Sequence, residues 1–214
     1  TTQLIVRYVT DERDGGQMED APVGESANGR RYDVAIRNEM ADVVLKNGWI
    51  LNDPGKSIGL LTGFRNHTMS SVFGDNNYQG AQRSAYANVV YQQLLKHQDQ
   101  LKAGASFQFD DYEELFSPVP AQRMDLGRTE RMPGVFAEYS RNRERFTLVA
   151  GVRADFNSTY GEAVSQRLHL KYDLGPLTTV RFSGGSGFRS ANPIVETPAA
   201  QASARQVVFE GDLD

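Results

Sequence analysis

Cysteine is missing from these 214 residues, so disulfide scaffolds, thiolate metal sites and cysteine nucleophiles are excluded. No stretch reaches the run of about 18–20 apolar residues that a membrane-spanning helix requires. Basic excess is missing too. The net charge is −4 with a pI near 5.5, which speaks against a nucleic-acid binder with a broad basic face. Histidine occurs 3 times, at 67, 97 and 169, without the H-x-x-x-H spacing of a helical metal site. Helical periodicity is scarce along the whole chain. The length allows one large domain or two small ones.

What the chain has is alternation. In "RFTLVAGVRADFN", Phe146, Leu148, Ala150, Val152, Ala154 and Phe156 take every second place. Thr147, Val149, Gly151, Arg153, Asp155 and Asn157 take the others. A period of two is a strand with unlike faces. The same sorting puts Leu101, Ala103, Ala105, Phe107 and Phe109 opposite Lys102, Gly104, Ser106, Gln108 and Asp110. Further on, Leu168, Leu170 and Tyr172 alternate with Arg167, His169 and Lys171. Strands are expected at 1–10, 32–46, 56–66, 82–96, 100–111, 132–141, 145–157, 164–173 and 177–187, with a last one starting near 205.

The connections alternate in length. Long polar ones ("DERDGGQMEDAPVGESANGR", "NHTMSSVFGDNNYQG", "DYEELFSPVPAQRMDLGRTE", "SANPIVETPAAQASA") are interleaved with short ones ("NGWILNDPG", "HQD", "NRE", "DLGP"). The pattern predicts an up-and-down meander with tight turns at one end and elaborated loops at the other, as in outer-membrane barrels. The turns near Asp99, Asn142 and Gly175 should then share one end, and the loops holding Pro22, Asn76, Pro120 and Pro198 the other. The strand from Phe146 to Phe156 covers roughly 33 Å at about 3.3 Å per residue. Tilted about 40°, it crosses roughly 25 Å, the height of a lipid-facing apolar band. Ala150 and Ala154 would fill a soluble core poorly, whereas lipid chains adapt to any contour. The fold class expected is therefore all-β, an antiparallel up-and-down transmembrane β-barrel. A soluble β-sandwich binding module is the alternative, with mixed connections and shorter strands.

Two stretches carry a family resemblance. "GVFAEYSRNRERFTLVAGVRADFNS" (Gly134–Ser158) and "RLHLKYDLGPLTTVRFSGGSGFRSANPIVE" (Arg167–Glu196) resemble hairpins of TonB-dependent outer-membrane receptors. The matching motifs are Gly151-Val152-Arg153-Ala154-Asp155, Leu170-Lys171-Tyr172, and Gly187-Phe188-Arg189 with Asn192-Pro193 and Glu196. "HTMSSVFGDNNYQGAQRSAYANVVYQ" is similar to the mid-barrel of Bacteroidetes-type members. The resemblance implies that residues 1–214 are a partial barrel domain, with about ten strands of a barrel of about 22. The plug domain, TonB box, signal peptide and C-terminal strands are then expected outside this stretch. It also implies a transport receptor in the bacterial outer membrane rather than an enzyme, with no cofactor. The cargo would be a scarce nutrient such as an iron (siderophore) chelate or a vitamin B12-like cobalamin. Partners would be outer-membrane lipid, the TonB–ExbB–ExbD energising complex acting through the plug, and a surface lipoprotein, with no nucleic acid. A porin-like passive channel is the nearest rival.

The resemblance also implies where contacts lie. "SGGSGFRS" (Ser183–Ser190) is neither G-x-S-x-G nor G-x-G-x-x-G. In the family it lines the lumen near the plug, which makes Arg189 a candidate plug or ligand contact. Glycines 184, 185 and 187 would let a plug approach the wall there. Arg153, Asp155, Arg167, His169, Lys171 and Arg181 form a mixed-charge lumen wall on successive strands. The simpler account is that such charges pair with one another. His67 is expected near an extracellular loop, as a ligand contact or simply a solvated side chain. "DDYEE" (Asp110–Glu114) gathers carboxylates at the loop end of a strand. It could hold calcium or bridge lipopolysaccharide, but it lacks the ligand spacing of a calcium loop and reads more simply as a solvated acidic loop.

Overall fold

A computed structural model describes residues 1–16, 32–119 and 122–190. They form one antiparallel sheet of 10 strands. In chain order these are β1 (Thr2–Gly16), β2 (Asp33–Ile50), β3 (Lys56–Phe73), β4 (Asn76–Leu94), β5 (Gln100–Val119), β6 (Gln122–Asp125), β7 (Arg128–Asn142), β8 (Phe146–Asn157), β9 (Gly161–Gly175) and β10 (Thr178–Gly185). Each pairs with its neighbour in sequence, except that β7 joins β5 directly and β6 turns back on the upper end of β5. The meander expected from the connections is present.

Its turns sort as expected. The connections after β2, β4, β7 and β9 lie at one end, where they bond to one another. The Leu94 amide donates to the Gly55 carbonyl at 2.7 Å, and the Asp173 amide to Arg145 at 2.8 Å. Arg143 Nη1 donates to the His97 carbonyl at 2.8 Å and to Asp99 Oδ1 at 2.7 Å. His97 sits in a one-turn 3-10 segment with φ +61°. Asn76 begins β4 at the opposite end. Pro22, Pro120 and Pro198, and the strand expected near 205, lie outside the described residues.

Asp99 titrates with the clasp it closes. The Arg143 guanidinium first, and the Tyr139 hydroxyl next, hold its carboxyl below the usual carboxylate range. A depressed folded-state pKa stabilises above the unfolded value and loses that contribution as pH falls through the folded one. Protection of the Leu95 amide, which donates to the Asp99 carbonyl at 2.7 Å, should therefore fall in acid below the ordinary Asp range. Hydrogen exchange on Asp99→Asn should show weak protection that no longer varies with acid.

Two expected long loops are instead strand. β3 and β4 continue through "NHTMSSVFGDNNYQG" and are joined by Gly74-Asp75 alone, with Gly74 at φ +59°. β5 continues through "DYEELFSPV", and β6 folds back on it. Polar composition suggested loops there. Both faces of the sheet meet water above the apolar band, so polar residues on either face are compatible with strand. The seventh connection is likewise only Ser158–Tyr160.

The register places the apolar set on one face. Val6 lies opposite Val43, Val43 opposite Phe64, and Phe64 opposite Ala85. The row continues through Ala87–Phe107, Ala105–Val135, Ala137–Val152 and Ala150–Leu168 to Leu170–Phe182. Leu101, Phe146, Leu148 and Phe156 share this face by the same pairing. Val6 is 68% exposed, Phe64 52% and Val152 51%. No second sheet covers them among the described residues, which removes the sandwich. Trp49, Tyr91, Tyr139 and Tyr172 mark the band's turn end, and Tyr8, Phe64, Phe109 and Phe156 its other end. Aromatic girdles of this kind flank the lipid-facing band of membrane barrels.

Candidate functional site

The opposite face carries the chemistry. Most of its buried residues are polar: Asp42 is 1% exposed, Glu130 4%, Asp110 and Glu114 5%, and Asp155 6%. Among the described residues, the buried apolar ones are Phe73, Tyr78 and Phe116. This inverts a soluble domain, where large apolar side chains go inside and acids stay in water. A wall with lipid on one side and a wet lumen on the other explains it.

Cations strap the wall together across strands. Asp42 on β2 accepts from Arg7 on β1 at 2.9 Å and Arg65 on β3 at 3.3 Å. Glu138 on β7 takes Lys102 from β5 at 3.4 Å and Arg167 from β9. Arg167 must cross β8 to arrive, and β8 offers Gly151 there. A Cβ at Gly151 would stand 3.3 Å from the Arg167 side chain. Arg153 on β8 holds Asp155 at 2.5 Å and crosses β7 to Ser106 Oγ at 2.7 Å. Beneath that strap lies Gly134, whose added Cβ would stand 3.0 Å from the Arg153 guanidinium. Adjacent strands are about 4.8 Å apart. A guanidinium spanning two of them must lie flat, and glycine beneath permits that.

Above the apolar band a denser network begins. Glu114 accepts from the Tyr78 hydroxyl at 2.6 Å and Arg128 at 2.5 Å. Arg128 also donates to Glu130 at 2.9 Å and stacks 4.0 Å from the Tyr112 ring. Asp110 accepts from Ser84 at 2.5 Å, Gln108 at 2.7 Å and Gln82 at 3.2 Å. The last described residues fold inward over this region. Ser190 Oγ donates to Glu130 at 3.0 Å, and Asn157 donates to the same carboxylate at 3.1 Å. A cavity of about 220 Å³ remains between this segment and the wall, and Arg189 lines it.

The expected contact residues are thus spread over the wall rather than gathered. Arg153 and Asp155 form the strap above. Lys171 bonds Asp173 at 2.8 Å, and His169 Nδ1 is 3.0 Å from Ser183 Oγ. Arg181 lies opposite Lys171 on the inner face. His67 is not in a loop. It sits within β3, on the inner face, between Met40 and Gln82 in register. Gly185 has a local reason to be glycine, because a Cβ would come within 2.7 Å of the Gln166 carbonyl. A leucine there would disturb the β9–β10 pairing itself. "DDYEE" is strand too, and the pleat divides it. Asp110, Tyr112 and Glu114 face inward, while Asp111 and Glu113 face outward, where Glu113 meets Arg83 at 3.2 Å.

Glu138, Arg128 and Glu130 were missed from sequence. One signal was available for the upper network: the alternation Asp110, Tyr112, Glu114, Phe116 continues the inner row of β5 without a break.

A search of curated proteins finds no significant match. The family model described as "TonB dependent receptor-like, beta-barrel" matches residues 5–213. That span begins within β1 and takes in β2 to β10 whole, with both the lipid-facing band and the strapped inner wall. This chain belongs to the β-barrel family of TonB-dependent receptors.

Proposed function

We propose that this stretch forms part of the wall of an energised outer-membrane importer for a scarce, bulky nutrient. An iron chelate and a cobalamin are the two cargoes that the family resemblance implies. Membership of the family supports TonB-dependent transport in general. The observation that favours an importer over a passive pore is the strapped inner wall. Asp42, Glu114 and Glu138 are buried and held by cations from other strands. Such a surface is suited to packing against polypeptide in the lumen, whereas an open pore gains nothing from burying its acids. In this reading a plug fills the lumen and contacts Arg189, and the TonB–ExbB–ExbD complex acts through that plug. A surface lipoprotein would hand cargo over at the loop end. Uptake of labelled ferric chelate and of cyanocobalamin should be measured in cells with and without TonB. The expected result is uptake of one of them that vanishes without TonB and falls several-fold in Arg189→Ala at equal surface expression. Uptake indifferent to TonB would make the protein a passive channel.

A further inference from the structure

The lipid-facing side is not uniformly smooth. The ladders set Leu101, Tyr139, Ala150, Leu168 and Gly184 in one row across β5 and β7 to β10. Beyond Tyr139 this row alternates small and large. Tyr139 and Leu168 stand two strand spacings apart, about 10 Å, with only the Ala150 methyl between them. Gly184 leaves the place after Leu168 bare, and Phe182 lines the surface beside it. The result is an apolar groove of about 770 Å³.

Toward the turns the same face becomes cationic. Arg141 lies opposite Leu148, two residues from Tyr139 and so about 7 Å along the strand. Its guanidinium is nearly half exposed and stands 3.6 Å from Asp99 Oδ2. The Tyr139 hydroxyl donates to that oxygen at 2.7 Å, while Arg143 donates to the other. These contacts fix both guanidinium groups at the height of the tyrosine girdle. One carboxylate therefore serves two arginines. The two linked turns carry Lys96, Arg141, Arg143 and Arg145 against Asp99 and Glu144, although the whole chain is acidic at −4. The β2–β3 turn has no such excess, since Lys56 is matched by Asp53 at 3.3 Å.

A cationic excess at the girdle favours an anion, and guanidinium donors match the oxygens of a phosphate. The short turns of outer-membrane barrels face the periplasm, where the leaflet is built of glycerophospholipids. Such a lipid has its phosphate at girdle height and its chains in the apolar band. A phosphate on Arg141 would bring an acyl chain to the groove beside Tyr139.

We propose that Arg141, Arg143 and this groove bind one anionic glycerophospholipid of the periplasmic leaflet. Its phosphate meets the Arg141 guanidinium, and one acyl chain lies over Ala150 and Gly184. The site needs only a lipid-facing apolar side and does not depend on the importer reading.

Native mass spectrometry of the purified full-length receptor in detergent would test it. The probes are phosphatidylglycerol and zwitterionic phosphatidylethanolamine with identical chains, and lipid A as the outer-leaflet comparison. Phosphatidylglycerol should be retained several-fold more strongly than either of the others. Arg141→Gln should abolish its advantage over phosphatidylethanolamine. Ala150→Phe, which fills the groove and leaves the charges alone, should weaken both phospholipids several-fold without changing their ratio. Thermal unfolding checks that the variants fold, and the comparison of lipids on the native receptor decides alone if one does not. Equal retention of the two phospholipids, preference for lipid A, a preference that survives Arg141→Gln, or retention indifferent to Ala150→Phe would overturn the proposal. So would receptor dimers that retain no phospholipid and that Ala150→Phe dissociates, since the groove would then hold a second copy.

Discussion

Val152→Arg should lose most of its folded, membrane-inserted protein, while Ala163→Arg should insert normally. Arginine at the mid-membrane lipid face of a barrel costs about 2–4 kcal/mol. Val152 is half exposed on the apolar face, opposite Ala137 and Gln166 in the ladders. Ala163 belongs to β9 and lies opposite Asp155 on the inner face. There a new guanidinium would meet a carboxylate and lumen water. The native chain already holds arginine at 153, one residue from the forbidden place, so residue type alone is not the obstacle. Folding into lipid vesicles, read by the heat-dependent shift in electrophoretic mobility, would separate the variants. Equal yields would mean that the exposed apolar face is not turned toward lipid.

This one-residue sensitivity explains what could be read from sequence. Within the apolar band each strand separates lipid from water, so hydrophobicity alternates and the strand announces itself. β8 is the clearest case, and its facing follows from "RFTLVAGVRADFN" alone. Above the band both faces meet water and the contrast vanishes. Strand residues such as Asn66, Thr68 and Ser70 then look like loop, and His67 was misplaced with them. Turn chemistry gave little help, since the only residues between β3 and β4 are Gly74 and Asp75. The straps were harder still. Arg167 reaches Glu138 because β8 separates their strands in one particular register. Register is a property of paired strands, and no single stretch encodes it. For the same reason Gly151 and Gly134 read as unremarkable small residues until the side chains lying across them are known.

Gly134→Leu should destabilise the wall strongly, through the strap that lies over it. Gly134 faces inward between Ser106 on β5 and Asp155 on β8. A Cβ would collide with the Asp155 carboxylate and would stand 2.9 Å from Ser106 Oγ and 3.0 Å from the Arg153 guanidinium. Gly134→Leu must therefore displace a carboxylate that is 6% exposed and break its pairing with Arg153. Separating such a pair costs on the order of 3 kcal/mol when the acid stays buried without its partner. Gly187→Leu provides the comparison, since its added Cβ would meet nothing within 4 Å. Urea titration of the receptor in lipid vesicles should show a large drop in midpoint for Gly134→Leu and almost none for Gly187→Leu. The cause can be isolated with a double-mutant cycle. With Arg153→Met and Asp155→Ala already present, Gly134→Leu should lose most of its penalty, because no charged pair is left to displace. A penalty of the same size in that background would place the cost in backbone packing of β7 and remove the strap from the account.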